Sequence, residues 1–171
     1  MLVVIKRIIS VFVVIVTCWV SPNSYAKPQC QDGNVEVIKK VFRQGYSEGD
    51  LDLIDNVFDH EFKFYDSMFP PNIRGLKLKI AKNRQVFEGW RVNINELLCI
   101  DDKVIVRWHG SGKHIASWMG EEPTYKKISL NGISIYQLEN NKIMVDWMVS
   151  ENLEFLLQIE AISPLNNILA P

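Results

Sequence analysis

Around Trp90 the spacing of apolar residues changes from three-to-four to two, and this change constrains the fold more than any other feature of the chain. Before it, Val35, Ile38, Val41, Phe42 and Tyr46 line one side of a predicted helix over Val35–Glu48, while Lys39, Lys40 and Arg43 face away. Gly49 stops that helix, and Asp50 caps a second, short one that leads into a predicted strand over Phe62–Asp66. Pro70 and Pro71 force a loop. Leu76, Ile80, Val86 and Phe87 then predict a third helix over Leu76–Phe87, with Lys77, Lys79, Lys82 and Arg84 largely at solvent. Beyond Trp90 come strands, the first slipping phase near Glu96 as a bulge would make it do, the later ones running through Val104, Ile128–Leu138 and Lys142–Val149. Asp101-Asp102 and Asn140-Asn141 supply tight turns, and Asn152–Ile159 predicts a closing helix. Helices followed by a meander predict an α+β domain in which a curved antiparallel sheet wraps on three N-terminal helices into a cone, apolar inside and open at one end.

The first residues stand outside this pattern. Lys6 and Arg7 precede an apolar run over Ile8–Val20, and Ser24-Tyr25-Ala26 offers small residues for cleavage, so Met1–Ala26 reads as a secretory signal peptide. The exported chain, periplasmic or secreted, is then expected to begin at Lys27. Its apolar run is short for a membrane span, so no stable span is expected after processing. Residues 27–171 suit a single domain with a core at about 35–160. Lysines and arginines do not gather on one predicted face, which argues against nucleic acid as a partner. The sequence has no H-E-x-x-H pattern, clustered Cys/His set or Gly-rich phosphate loop, so neither a metal nor another cofactor is expected. Export would permit Cys30 and Cys99 to pair, but spacing alone leaves the paired and free forms both open.

The stretch from Val104 to Lys127 carries the most pointed signal. Val104, Val106, Trp108, Gly110, Gly112 and His114 share one strand face, and the two glycines either let the strand bend or leave room for a molecule beneath His114. Gly112, Lys113 and His114, followed by Gly120, Pro123 and Thr124, resemble the G-T-H, G, P-T-G segment of the SnoaL-like polyketide cyclases, also called ester cyclases. Tyr46, Gly49, Asp50, Asp55 and Phe58 are similar to that family's opening motif. The resemblance covers roughly Val35–Glu160 and implies the fold of nuclear transport factor 2. It also implies a cone holding a small hydrophobic or carbonyl-containing molecule, general acid/base chemistry without a cofactor, and a sheet face open to pairing as a homodimer.

On this resemblance His114 matches the histidine that the family places in its pocket, a candidate donor to a developing oxyanion, and Tyr46 resembles a tyrosine lining the same cavity. The chain also departs from the pattern. Lys113 replaces a threonine, Tyr125 replaces a glycine, and Ile128 stands where the family's acid/base aspartate is expected. A carboxylate would have to come from elsewhere, and Asp66 and Asp146 are the candidates, with Glu151 behind them. Each has a structural alternative: Asp66 capping the proline loop, Asp146 facing solvent, Glu151 capping the closing helix. Trp108, together with Trp118 and Phe69 from the two loops expected at the mouth, are candidate ligand contacts. Two readings follow, a cofactor-independent cyclase, isomerase or lyase, and a noncatalytic exported binding module that has lost the aspartate.

Overall fold

The computed structural model describes residues 30–163 except 32 and 67, so the expected signal segment Met1–Ala26 and most of the C-terminal tail lie outside the described residues. Helix α1 (Asn34–Lys40) continues without a break into a π-helical stretch, Val41–Glu48. Gly49, in the left-handed region at φ 80°, ends it, and Asp50 caps α2 (Leu51–Val57) by accepting the Leu53 N–H at 2.9 Å. Strand β1 (Phe58–Tyr65) follows directly, four residues earlier than the spacing predicts, because Phe58, Phe62 and Phe64 all turn inward. After the proline loop, Asn72 caps α3 (Ile73–Val86). Strands β2 (Phe87–Ile100), β3 (Lys103–His114), β4 (Lys127–Glu139) and β5 (Lys142–Ser150) precede a short α4 (Asn152–Gln158). Three N-terminal helices are thus too simple a description: the first changes its winding, β1 separates α2 from α3, and α4 closes the domain.

The fold is α+β with one curved five-stranded sheet in the order β1-β5-β4-β3-β2. From β2 to β5 it is the antiparallel meander that the turn residues dictate, with Asn140 and Asn141 both at positive φ as a tight hairpin requires. The bulge near Glu96 is present, as a register shift between Ile94 and Glu96. The sheet as a whole is mixed, because β1 pairs with β5 in parallel. Residues 82 positions apart make that pairing, Tyr65 with Trp147 for example, and α3 carries the chain from one sheet edge to the other. No local spacing announces such a contact.

The parallel pairing gives β5 neighbours on both sides, and a register shift opposite Gln137 and Leu138 changes the phase of β5 so that Ile143 and Asp146 both face inward. On β4, Ser134, Tyr136 and Leu138 face inward while Ile133 is exposed; on β5, Asp146 is buried while Trp147 and Val149 lie outside. Inside, the rings of Phe42, Phe62, Phe64, Phe87, Trp90 and Trp108 build the core.

The π-helical stretch is fastened to edge strand β2 through Ser47. Its hydroxyl accepts the Val92 N–H at 2.9 Å and lies 2.8 Å from the Phe42 carbonyl, filling a place that a ladder partner would otherwise occupy. Tyr46, one residue earlier, is thereby set against the sheet.

Cys30 and Cys99 form a disulfide with a Cα–Cα distance of 5.2 Å, tying the segment before α1 to the end of β2. A cross-link spanning 69 positions restricts the unfolded chain by about 4 kcal/mol in the loop-entropy account. Reduction, or Cys99→Ser, is therefore expected to lower unfolding stability by on the order of 2–4 kcal/mol. Urea titrations with and without reductant measure this directly, and coincident midpoints would show that the bond contributes nothing.

Candidate functional site

Between the inner sheet face, the π-helical stretch, α3 and α4 lies a cavity of about 220 Å³, open to solvent on one side. Its lining contains Tyr46 from the π-helical stretch, Leu76, Lys79 and Asn83 from α3, and Trp108, Ser134, Tyr136 and Asp146 from the sheet. Leu76, Lys79, Ile80 and Asn83 share a helix face at spacings of three and four, so Lys79 travels inward with the apolar stripe. Its side chain is 19% exposed, which corrects the expectation that it lies at solvent. The stripe was legible in the sequence; the lysine on it was the overlooked signal.

Asp146 is the centre of the site. It is 2% exposed, paired in register with Phe64 on β1 and Tyr136 on β4, and its Oδ1 has no hydrogen-bond partner. Burial drives its pKa up to about 7, against the opposing pull of the Lys79 ammonium and the Ser134 and Tyr136 hydroxyls, while Asp66 adds a further push upward. The alternative in which Asp146 faces solvent is corrected: its strand face is the inner one.

The groups around Asp146 are themselves held. The Trp108 indole N–H donates to Ser134 Oγ at 3.1 Å, which leaves the Ser134 proton free to point elsewhere, toward the carboxylate. Trp108 can lie there because residue 132, its cross-strand partner, is glycine; a Cβ on Gly132 would come within 2.2 Å of the ring. The Tyr46 and Tyr136 hydroxyls meet at 3.3 Å, and both phenols are pushed well above their ordinary pKa by burial and then by the Asp146 charge. They therefore remain protonated donors. Lys79 Nζ reaches Asp66 Oδ2 at 2.8 Å and sits 5.1 Å from the centre of the Phe64 ring. Burial raises the Asp66 pKa, but Lys79 and the Met68 and Phe69 N–H groups outweigh this and hold it below the usual value. Asp66 thus caps the loop turn and also anchors Lys79, while Asp146 is the carboxylate poised near neutrality.

His114 lies elsewhere. It is fully buried, pairs in register with Phe87, and is not among the residues lining the cavity. Its Nδ1 accepts the Thr124 N–H at 3.2 Å, which places the ring proton on Nε2. Its own backbone bonds Lys126 and Tyr125 at 3.0 Å, so His114 fastens the loop back onto the sheet. The room expected beneath it is filled: a Cβ on Gly110 would meet the Trp90 ring at 2.8 Å, and one on Gly112 would meet Phe87 at 2.9 Å. Ile128 is likewise fully buried and does not line the cavity. Of the candidate ligand contacts, Tyr46, Trp108 and Trp118 line the cavity and Phe69 packs against the core beside it. Glu151 occupies the N-cap position of α4, but its carboxylate accepts from Asn131 instead of capping. Among the described residues no cluster of ligating side chains suits a metal ion, and no helix is long and apolar enough to cross a membrane. Sequence reasoning missed Lys79, Ser134 and Tyr136.

The family model for SnoaL-like polyketide cyclases matches residues 36–159. TsrD from Streptomyces laurentii superposes with a TM-score of 0.71 at 20% identity, over 78% of this chain and 100% of that one. A Bacillus cereus protein proposed to be a polyketide cyclase gives 0.67 at 24% identity, over 76% and 82%. A protein of ketosteroid isomerase-like fold from Catenulispora acidiphila, solved with trimethylamine, gives 0.61 at 12% identity, over 75% and 98%. At these identities the likeness shows the fold. No curated protein matches.

The Asp146 pKa carries a stability consequence of definite sign. Because it is raised from 3.8 in the unfolded chain to about 7 in the fold, the native state binds the extra proton, and stability is lost as pH rises between those values. The loss is on the order of 4 kcal/mol. Asp146→Asn, which carries no charge to desolvate, is expected to match the parent near pH 4 and to exceed it in stability above pH 7. Urea midpoints across that range test this, and parallel pH profiles for the two proteins would count against it.

Proposed function

Because the chain belongs to the SnoaL-like polyketide cyclase family, we propose that it catalyses a proton-transfer reaction next to a carbonyl, a ring closure or an isomerisation, on a small hydrophobic molecule without a cofactor. One observation carries this reading: a buried aspartate with a free oxygen and a pKa near 7 opens into an apolar cavity beside two phenol donors. Asp146 Oδ1 takes a proton from the carbon next to the substrate carbonyl. The electron pair moves onto the carbonyl oxygen, where the Tyr46–Tyr136 hydroxyls donate to the developing enolate. Asp146 then returns its proton: to another carbon in an isomerisation, or, in a ring closure, to the alkoxide formed when the enolate carbon bonds to a second carbonyl carbon of the same substrate and that carbonyl's π pair moves onto its oxygen. In either case the carboxylate ends as it began, and no outside acid or oxidant enters.

Lys79 holds positive charge beside both carboxylates, which keeps Asp146 from rising further and lets it ionise near neutral pH. The base in this reading comes from β5 and replaces the family aspartate for which Ile128 stands. A binding module without chemistry is the competing outcome of the same test.

We propose further that the protein works after export, starting at Lys27, as a pair of copies. The disulfide supports an oxidising compartment. The outer sheet face carries a row in register, Leu98, Ile105, Ile135 and Trp147, with Ile133 beside it, and Trp147 is 47% exposed. Next to that row the Arg107–Glu96 pair offers one charge of each sign, which a two-fold copy can match.

The chemistry is tested by following exchange of the α-protons of 2-tetralone for deuterium in heavy water. Exchange should rise with pH through about 7, and Asp146→Asn should slow it by about 10²- to 10⁴-fold. A wild-type protein that binds the ketone without accelerating exchange would instead be the binding module. Intact mass and sedimentation of material recovered from an exporting host address the second proposal. A monomer that retains Met1–Ala26 would overturn both of its parts.

A further inference from the structure

Three indoles line the cavity, those of Trp90, Trp108 and Trp118, and the last two differ in one respect. The Trp108 N–H is taken by Ser134, whereas the Trp118 N–H is buried and has no partner. Trp118 is 6% exposed, although it comes from the loop between β3 and β4. Its backbone is pinned by reciprocal hydrogen bonds with Glu121, at 3.2 and 3.0 Å. Its ring is clamped between Phe87 at 5.8 Å and Phe155 at 6.2 Å, centroid to centroid. An indole nitrogen can only donate, and leaving such a donor dry and unpaired costs about 1–3 kcal/mol. Among the described residues, the buried polar atoms without a partner that belong to cavity-lining side chains are this donor and Asp146 Oδ1. A bound molecule that offers an acceptor to the indole and a donor to the carboxylate would pair both.

We infer that Trp118 is a specificity-determining residue whose indole N–H binds an uncharged oxygen of the substrate, a carbonyl or ether, at a point separate from the carbon on which Asp146 acts. The inference rests on the proposed reading of the cavity as a substrate site and adds to it a second recognised group. Neutrality of that oxygen follows from the charges at hand. The cavity's cation, Lys79, is already paired with Asp66, and the residue bridged to Trp118 is acidic, Glu121. A carboxylate facing Trp118 would be buried with one N–H and no counter-ion, which is unfavourable. The enclosed volume of about 220 Å³ lies below the roughly 300–1,000 Å³ of drug-sized sites, so the substrate is small, of one or two rings.

Three probes of one shape separate these claims: 2-acetylnaphthalene with the oxygen, 2-isopropylnaphthalene without it, and 2-naphthoate with a charge. Their affinities are measured by titration calorimetry on the full-length protein and on Trp118→Phe, which keeps an aromatic ring and removes the N–H. The preference for the ketone over the hydrocarbon should fall by about 2- to 12-fold in Trp118→Phe, while hydrocarbon affinity stays within about twofold. Naphthoate should bind more weakly than the ketone to the wild type. An unchanged ketone preference in Trp118→Phe overturns the inference, and so does tighter binding of naphthoate. A lowered melting temperature with all affinities reduced alike also overturns it, because Trp118 would then be only a packing residue. Asp146→Asn should leave the ketone preference as it is, so failure of the base, read from unaltered proton exchange in that variant, is distinguishable from failure of the Trp118 subsite.

Discussion

The parallel contact between β1 and β5 is what the rest of the structure depends on. It turns β5 from a sheet edge into an interior strand, with Phe64 on one side of Asp146 and Tyr136 on the other. An edge position would leave that carboxylate in water at an ordinary pKa. Enclosed between strands, it loses hydration that one ammonium and two hydroxyls only partly replace, and the shift toward neutrality follows from that imbalance. The fold tolerates the cost because the cavity walls are aromatic and the net stabilisation of a domain this size comes from apolar burial around the site.

A short series of steric facts carries this from backbone to chemistry. Gly132 makes space for the Trp108 ring, the ring delivers its N–H to Ser134, and Ser134 is left with its proton to offer the carboxylate. On the helical side, Ser47 substitutes for a ladder partner of β2 and so fixes the height of Tyr46 against Tyr136. The π-helical winding over Val41–Glu48 belongs to the same arrangement, a form often met where a helix presents a functional side chain.

Much of this was legible in the residues. Periodicity gave the helices and strands to within a few positions, Asp50 and the asparagine pair marked a cap and a hairpin, and the phase slip near Glu96 was a true bulge. The family resemblance named the architecture and Tyr46. Two things were not legible. Strand faces on β4 and β5 invert because Ile133, Trp147 and Val149 face outward while Ser134 and Asp146 face inward, and hydrophobicity alone assigns the opposite sense. The role of His114 was also hidden, since a histidine on an apolar strand face looks the same whether it meets a ligand or, as here, the amide of Thr124.

The order of the strands has a consequence for how the protein comes into being. Among the described residues Asp146 sits on the last strand, and its burial requires the first, some eighty residues earlier, to be in place beside it. Contacts between such distant segments are costly to close and form late relative to local ones. Until they do, residue 146 is an ordinary acid, ionised and inert at neutral pH. The functional group in this domain is thus a property of the completed topology, and reactivity would report whether the two ends of the sheet have met.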